Sequence, residues 1–228
     1  MSTIEVNSID KESGSTLTLG GSGTQVTLHA SATSSGFDSG LASVQTFTSS
    51  GTWTRPTGIT KVKMELQGAG GGGSGNSTYY GYAASGAYAV KFLDVSSISS
   101  ATITVGAGGT ASNTGTGADG GDTIWSDGTN TITAGGGGGK NGSGHTGSAA
   151  GTATGGDVNI SGARGSSQSA YGQPHSRFGF TGVYTGLSGN DSYSEVTGYG
   201  AGGTVGFWNN SQSPKDGGDG IVIVWEYK

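Results

Sequence analysis

Bulky aromatic residues interrupt a chain otherwise dominated by glycine, serine and threonine, and they fall into three groups. Tyr79, Tyr80 and Tyr82 form the first; Tyr171, His175, Arg177, Phe178 and Phe180 with Tyr184 form the second; Tyr193, Tyr199, Phe207 and Trp208 form the third. An aromatic face offers apolar area at low entropic cost. It suits the C–H face of a sugar ring, while polar neighbours supply hydrogen bonds. These groups are the candidates for a binding surface. The competing reading is that several of the rings close a small hydrophobic core. Trp53 and Trp225, on strand-like segments, are assigned to packing.

Other chemistries find little support. His29, His145 and His175 lie far apart with no ligand-type spacing, so no metal site is expected. Asp119, Asp122, Asp216 and Asp219 sit beside glycines, where turn formation is a commoner role than calcium binding. Gly139-Lys140 is followed by Asn141, whereas a phosphate loop needs Ser or Thr there, and no helix is expected to meet a phosphate. The acidic residues form no pair that would hydrolyse a glycoside. No enzyme activity and no cofactor are expected.

Composition narrows the class further. Glycine accounts for 50 of 228 residues, about three times the usual share. Charged residues are only 11%, prolines three, and the net charge −5, whereas disordered chains pair low hydrophobicity with high charge. The ten basic residues are scattered, which disfavours nucleic acid. Cysteine is absent, so there are no disulfides or thiolate sites. The start, Met-Ser-Thr-Ile-Glu-Val, has no signal-peptide pattern, and no apolar run suits a membrane helix. A soluble protein made in the cytoplasm is expected, without membrane insertion.

Period-two alternation places the elements. Residues 1–42 read as an attachment segment and linker, followed by one glycine-rich domain over 43–228. Thr16–Leu19 and Gln25–Leu28 flank Gly20-Gly-Ser-Gly23 as a hairpin. Its apolar positions Leu17, Leu19, Val26 and Leu28, with Ile4 and Val6, need a partner, because one hairpin is not stable alone. Copies of the chain are the favoured partner, giving a trimer. Val44–Thr48 and Gly51–Thr54 read as short strands across a turn. Lys61–Gln67 alternates strictly, with Val62, Met64 and Leu66 on one face. Ala89–Val95, Ala101–Val105, a hairpin of Asp122–Ser126 with Thr129–Thr133, Val158–Ile160 and Ile221–Tyr227 complete the set. The fold expected is all-β, without helices.

The glycine runs admit three structures. Collagen needs glycine at every third position with abundant proline, and this chain has neither. A flexible linker would lack the recurrent aromatics and the apolar closing strand. The favoured reading is packed polyglycine II rods, in which the missing Cβ permits close approach and the N–H groups bond laterally.

Phe47-Thr-Ser-Ser-Gly-Thr-Trp-Thr-Arg-Pro56, Gly58-Ile-Thr-Lys-Val62, Gly68-Ala-Gly-Gly-Gly-Gly73, the pentaglycine 135–139 and Asp219-Gly-Ile-Val-Ile-Val224 together resemble the glycine-rich domain of bacteriophage tail fibres and adhesins. Residues 15–28 also resemble short modules in tail fibres of marine and cyanobacterial phages. The resemblance implies a virion protein, a trimeric fibre or fibre tip joined to other tail proteins by its N-terminal segment. It also implies recognition of a host-surface polysaccharide or outer-membrane protein through loops on glycine-rich rods. The alternatives are a capsid decoration protein and, less favoured, a polysaccharide-degrading spike.

Overall fold

The computed structural model describes residues 40–75, 80–140, 147–165, 198–203 and 213–228, all in the compact unit Ser39–Lys228. The hairpin and apolar positions anticipated in residues 1–39 lie outside the described residues.

The alternating segments do form strands: β1 (Leu41–Phe47), β2 (Gly51–Thr54), β3 (Lys61–Gln67), β4 (Ser74–Gly75), β5 (Tyr80–Gly81), β6 (Tyr88–Asp94), β7 (Ser100–Thr104), β8 (Thr123–Ser126), β9 (Thr131–Ala134), β10 (Ala153–Thr154), β11 (Val158–Ile160) and β12 (Ile221–Tyr227). Among the described residues the protein is all-β with no helix. One antiparallel sheet runs β1-β12-β3-β6-β11, a second runs β10-β9-β8-β7-β2, and β4 pairs with β5. β8 and β9 form the expected hairpin. Its turn has Gly128 at φ +91° and Asp127 accepting from the Thr129 and Asn130 amides.

β1 and β2 form on either side of the expected turn without pairing to each other; β1 joins β12, β2 joins β7, and the chain crosses between sheets. One boundary needs correction. Leu41 and Ala42, read as the end of a linker, already belong to β1.

The two sheets enclose one core. Val62, Met64, Leu66, Ala89, Val222 and Val224 from the first meet Trp53, Ala101, Ile103, Trp125, Ile132 and Ala134 from the second. Trp53 and Trp125 pack with ring centroids 5.0 Å apart at 49°. Glu226 continues the inward face of β12 and is fully buried. Its carboxyl accepts from Trp53 Nε1 (2.7 Å), Gln45 Nε2 (2.7 Å) and Ser43 Oγ. The inter-sheet indole bond therefore ends on a group that also pins the edge strand β1.

Beyond the strand ends the backbone continues as rods. Residues 68–73 form the central one. The N–H groups of Gly68 and Gly71 donate to Ala87 and Ala84, those of Ala69 and Gly72 to Gly121 and Ala118, and those of Gly70 and Gly73 to Gly218 and Lys215. Bond direction thus returns to the same neighbour every third residue, the repeat of the polyproline II helix. The partner number falls as the rod's rises, so these three neighbours run antiparallel. The carbonyls turn to three others: Ala69 and Gly72 accept from Gly137 and Lys140, Gly70 and Gly73 from Gly109 and Ser112, and Gly71 from Gly203. The Gly68 carbonyl accepts from Gln67 Nε2 at 3.3 Å. Six segments of the same chain surround one rod, and every polar backbone group of 68–73 is bonded.

This packing explains the glycine directly. A Cβ at Gly70 would lie 1.8 Å from the Ala201 carbonyl oxygen, and one at Gly71 or Gly72 would lie 2.2 Å from the Gly138 or Thr110 carbonyl oxygen. Where a methyl does fit, the chain uses alanine: Ala69, Ala83, Ala84 and Ala87 are fully buried.

Gly71→Ala should cost at least about 3 kcal/mol, because backbone on both sides must move. Gly51→Ala, where a Cβ meets nothing within 4 Å, should be neutral or stabilise by up to about 1 kcal/mol. Urea unfolding of both variants checks the contrast. Glu226→Ala should cost about 3 kcal/mol by leaving the Trp53 and Gln45 donors unpaired. A double-mutant cycle with Trp53→Phe should show strong coupling.

Candidate functional site

The rod bundle has two ends, and hydrogen-bond register distinguishes them. At the sheet end, Gly68 meets Ala87, the Ala87 amide meets Gly135, and Gly220 meets Gly106. At the far end, Gly73 meets Lys215 and Ser112, Gly72 meets Lys140, and the Ala83 amide meets Gly203. Gly165 reaches Ser148, whose hydroxyl bonds the Gly139 carbonyl at 2.9 Å. The described chain leaves the bundle after Gly75, Lys140, Gly165 and Gly203, and re-enters at Tyr80, Gly147 and Ser213. All seven points belong to the far end. Only the re-entry at Gly198, beside the Gly200 and Asp219 rung, belongs to the sheet end.

A described turn closes part of the far end. Ser74 Oγ donates to the Gly115 carbonyl at 2.6 Å, and the Gly117 amide donates to the Lys140 carbonyl at 2.9 Å. Lys140 is fully buried here, and desolvation pushes its ammonium below the usual lysine range.

The candidate residues divide accordingly. The backbone of Tyr80 pairs with Gly75 in the β4–β5 ribbon, and Tyr82 is half-buried at the entry to the 83–87 rod. Both therefore sit at the far end. Tyr79, Tyr171, His175, Arg177, Phe178, Phe180, Tyr184, Tyr193, Phe207 and Trp208 lie outside the described residues. Their segments, 76–79, 166–197 and 204–212, each connect to this end on at least one side. Trp53 is a core residue, as read. Trp225 differs: it lies on the outer face of its sheet, half-buried, with Lys63 Nζ 5.5 Å from the ring centroid.

The four aspartates beside glycines also differ from the turn reading. Asp216 Oδ1 accepts from the Ala111 amide at 2.6 Å and Asp219 Oδ1 from Gly108 at 2.7 Å. Asp119 Oδ1 accepts from Gly139 at 2.7 Å and Asp122 Oδ1 from Gly136 at 2.8 Å. Each pair is spaced by three residues and meets donors spaced by three. The side chains thus stand in for a missing neighbour, satisfying rod N–H groups that no further backbone reaches. The signal was present as D-x-x-D beside glycine (Asp119-Gly-Gly-Asp122 and Asp216-Gly-Gly-Asp219), a spacing that only the threefold rod makes meaningful. Gln67 was also missed. Its buried Nε2 bonds the carbonyls of Gly86 and Ala87, both at 3.0 Å, where β3 passes into the rods.

The fold defines an all-β sandwich extended by a polyglycine bundle. A family described as a glycine-rich domain matches residues 42–227, most of the chain, and the protein belongs to that family. No curated protein matches the sequence significantly. Among the described residues no helix is long and apolar enough to cross a membrane.

Replacing both Asp216 and Asp219 by alanine should expose the Gly108 and Ala111 amides. Hydrogen exchange at those two residues should accelerate at least about tenfold, whereas Gly70 and Gly71, bonded inside the bundle, should remain protected.

Proposed function

We propose that this chain is a bacteriophage virion protein, a tail fibre or fibre-tip adhesin that recognises the host surface. The observation that carries the reading is the gathering of chain exits at one end of a bundle whose central rod is fully bonded. A bundle of this kind holds the ends of several insertions in fixed relative positions, which suits a recognition surface assembled from loops. The insertions contain aromatic residues together with His175 and Arg177, a mixture that fits sugar rings and their polar substituents. In this reading the ligand is a host polysaccharide or outer-membrane protein, and the protein performs no catalysis. The segment preceding β1 joins copies into a trimer and attaches them to other tail proteins. All six segments bonded to the central rod belong to the same chain, and trimerisation is therefore assigned to the segment preceding β1 rather than to shared rods.

Replacing residues 171–184 by a Gly/Ser sequence of equal length should abolish binding of the purified protein to host cells while leaving the unfolding midpoint unchanged. Unaltered binding would remove that loop from the site. Immunogold labelling of virions should decorate tail fibres, and label confined to the capsid would overturn the fibre assignment.

A further inference from the structure

The first sheet carries a second feature at its strand ends away from the rods, where Lys61, Asp94 and Tyr227 lie side by side. Its outer face follows from the register: Lys61 lies between Tyr227 of β12 and Asp94 of β6, and Lys63 lies between Trp225 and Phe92. The Lys63 row is partly filled, because Lys63 stacks over Trp225 and pairs with Glu65 at 2.5 Å. The Lys61 row is open. Phe92, Tyr227, Lys61, Asp94 and Lys228 line, over Val62 and Leu93, an open hollow of about 400 Å³. That volume falls in the range of small-ligand pockets. Phe92 is 60% exposed, a large apolar ring left in water at the rim of a concave site.

We propose that this hollow binds a neutral saccharide. The two rings stand on strands either side of β3 and two residues apart in register, so their backbones are about 12 Å apart, with a donor and an acceptor between them. Saccharides present C–H faces and hydroxyls in the same alternation, matching ring, ammonium, carboxylate and ring in turn. Asp94 serves as the acceptor: hydrogen bonding by Ser96 holds its carboxyl below the usual range, so it is ionised at neutral pH. Lys61 and Lys228 line the hollow with Asp94, so a strongly cationic ligand meets two repelling ammonium groups and a strongly anionic one meets the Asp94 carboxylate. An apolar protein surface laid over the hollow would desolvate these charges without replacing their water. A sugar hydroxyl replaces it. The inference rests on the register of the sheet and is independent of the recognition loops.

The test titrates the full chain with maltohexaose, cellohexaose and chitotetraose, following calorimetric heat and saturation transfer from the protein to the sugar. At least one should bind, and Phe92→Ala should weaken it about tenfold or more, while Phe92→Tyr retains it. Lys61→Ala with Asp94→Asn should also weaken binding, providing a second probe if Phe92→Ala fails to fold. The chain with residues 171–184 replaced should bind the same sugar as well as the parent does, so loss of host-cell binding and loss of this site are separable. The proposal is overturned if none of the three sugars binds or if the Phe92 and Lys61/Asp94 variants bind normally. It is also overturned if Phe92→Ala lowers the oligomeric state in sedimentation, since a second copy would then fill the hollow.

Discussion

The structure depends on one constraint, that every buried backbone N–H and C=O must find a partner. Glycine is the residue for which this is hardest to arrange, because ordering it costs more entropy than ordering any other and it contributes no side chain to bury. The 68–73 rod meets the constraint by bonding to six segments at once. A β-strand lies between two neighbours, whereas a threefold rod points its N–H groups in three directions and its carbonyls in three others, and so requires a bundle. Close approach of the rods permits these bonds and excludes side chains. The high glycine content and the all-round bonding are thus one fact seen from two sides.

A bundle held by backbone alone has a register problem, since a slide of three residues restores the same pattern of bonds. The sandwich removes that freedom. Strands β3, β6, β7, β8, β9 and β12 connect directly to rods, and the large core residues Trp53, Trp125, Met64 and Leu66 fix those strands. Gln67 bridges the transition by bonding Gly86 and Ala87, and the Trp53–Glu226 bond ties the sheets together inside the core. The modest apolar core therefore sets the register of a bundle whose described residues contribute few apolar side chains beyond alanine.

Much of this was legible in the sequence, and what was missed has a pattern. β3, β11 and β12 were read at their observed boundaries, because alternation over Lys61–Gln67 and the compact runs Val158–Ile160 and Ile221–Tyr227 leave little ambiguity. The rods were legible by elimination: irregular glycine spacing with scarce proline removed collagen, and the recurrent aromatics with the apolar closing strand argued against a linker. Pairing was not: β1 and β2 look like a hairpin locally, and only the non-local partners β12 and β7 decide otherwise. The same holds for the aspartate rungs, whose spacing carries no meaning until two rods lie side by side. Phe92 read as one apolar residue of a strand, because Ala89-Val-Lys-Phe-Leu-Asp-Val95 lacks strict alternation to show which residues face out. Of the candidate aromatics, Tyr80 and Tyr82 are placed at the far end of the bundle.

The same constraint divides the chain into positions that tolerate change and positions that do not. Within the rods a single methyl meets a carbonyl at about 2 Å for glycine after glycine, so substitution is limited to sites where alanine already fits. At the far end the chain leaves and re-enters through connections as different as 76–79 and 204–212 without altering the rods between them. Closing a longer loop costs only about 0.6 kcal/mol for each doubling of its length, and the rod termini hold its ends in place regardless of its sequence. A scaffold whose interior admits almost no variation thus leaves its exits open to it. That separation follows from backbone packing alone, whatever the loops bind.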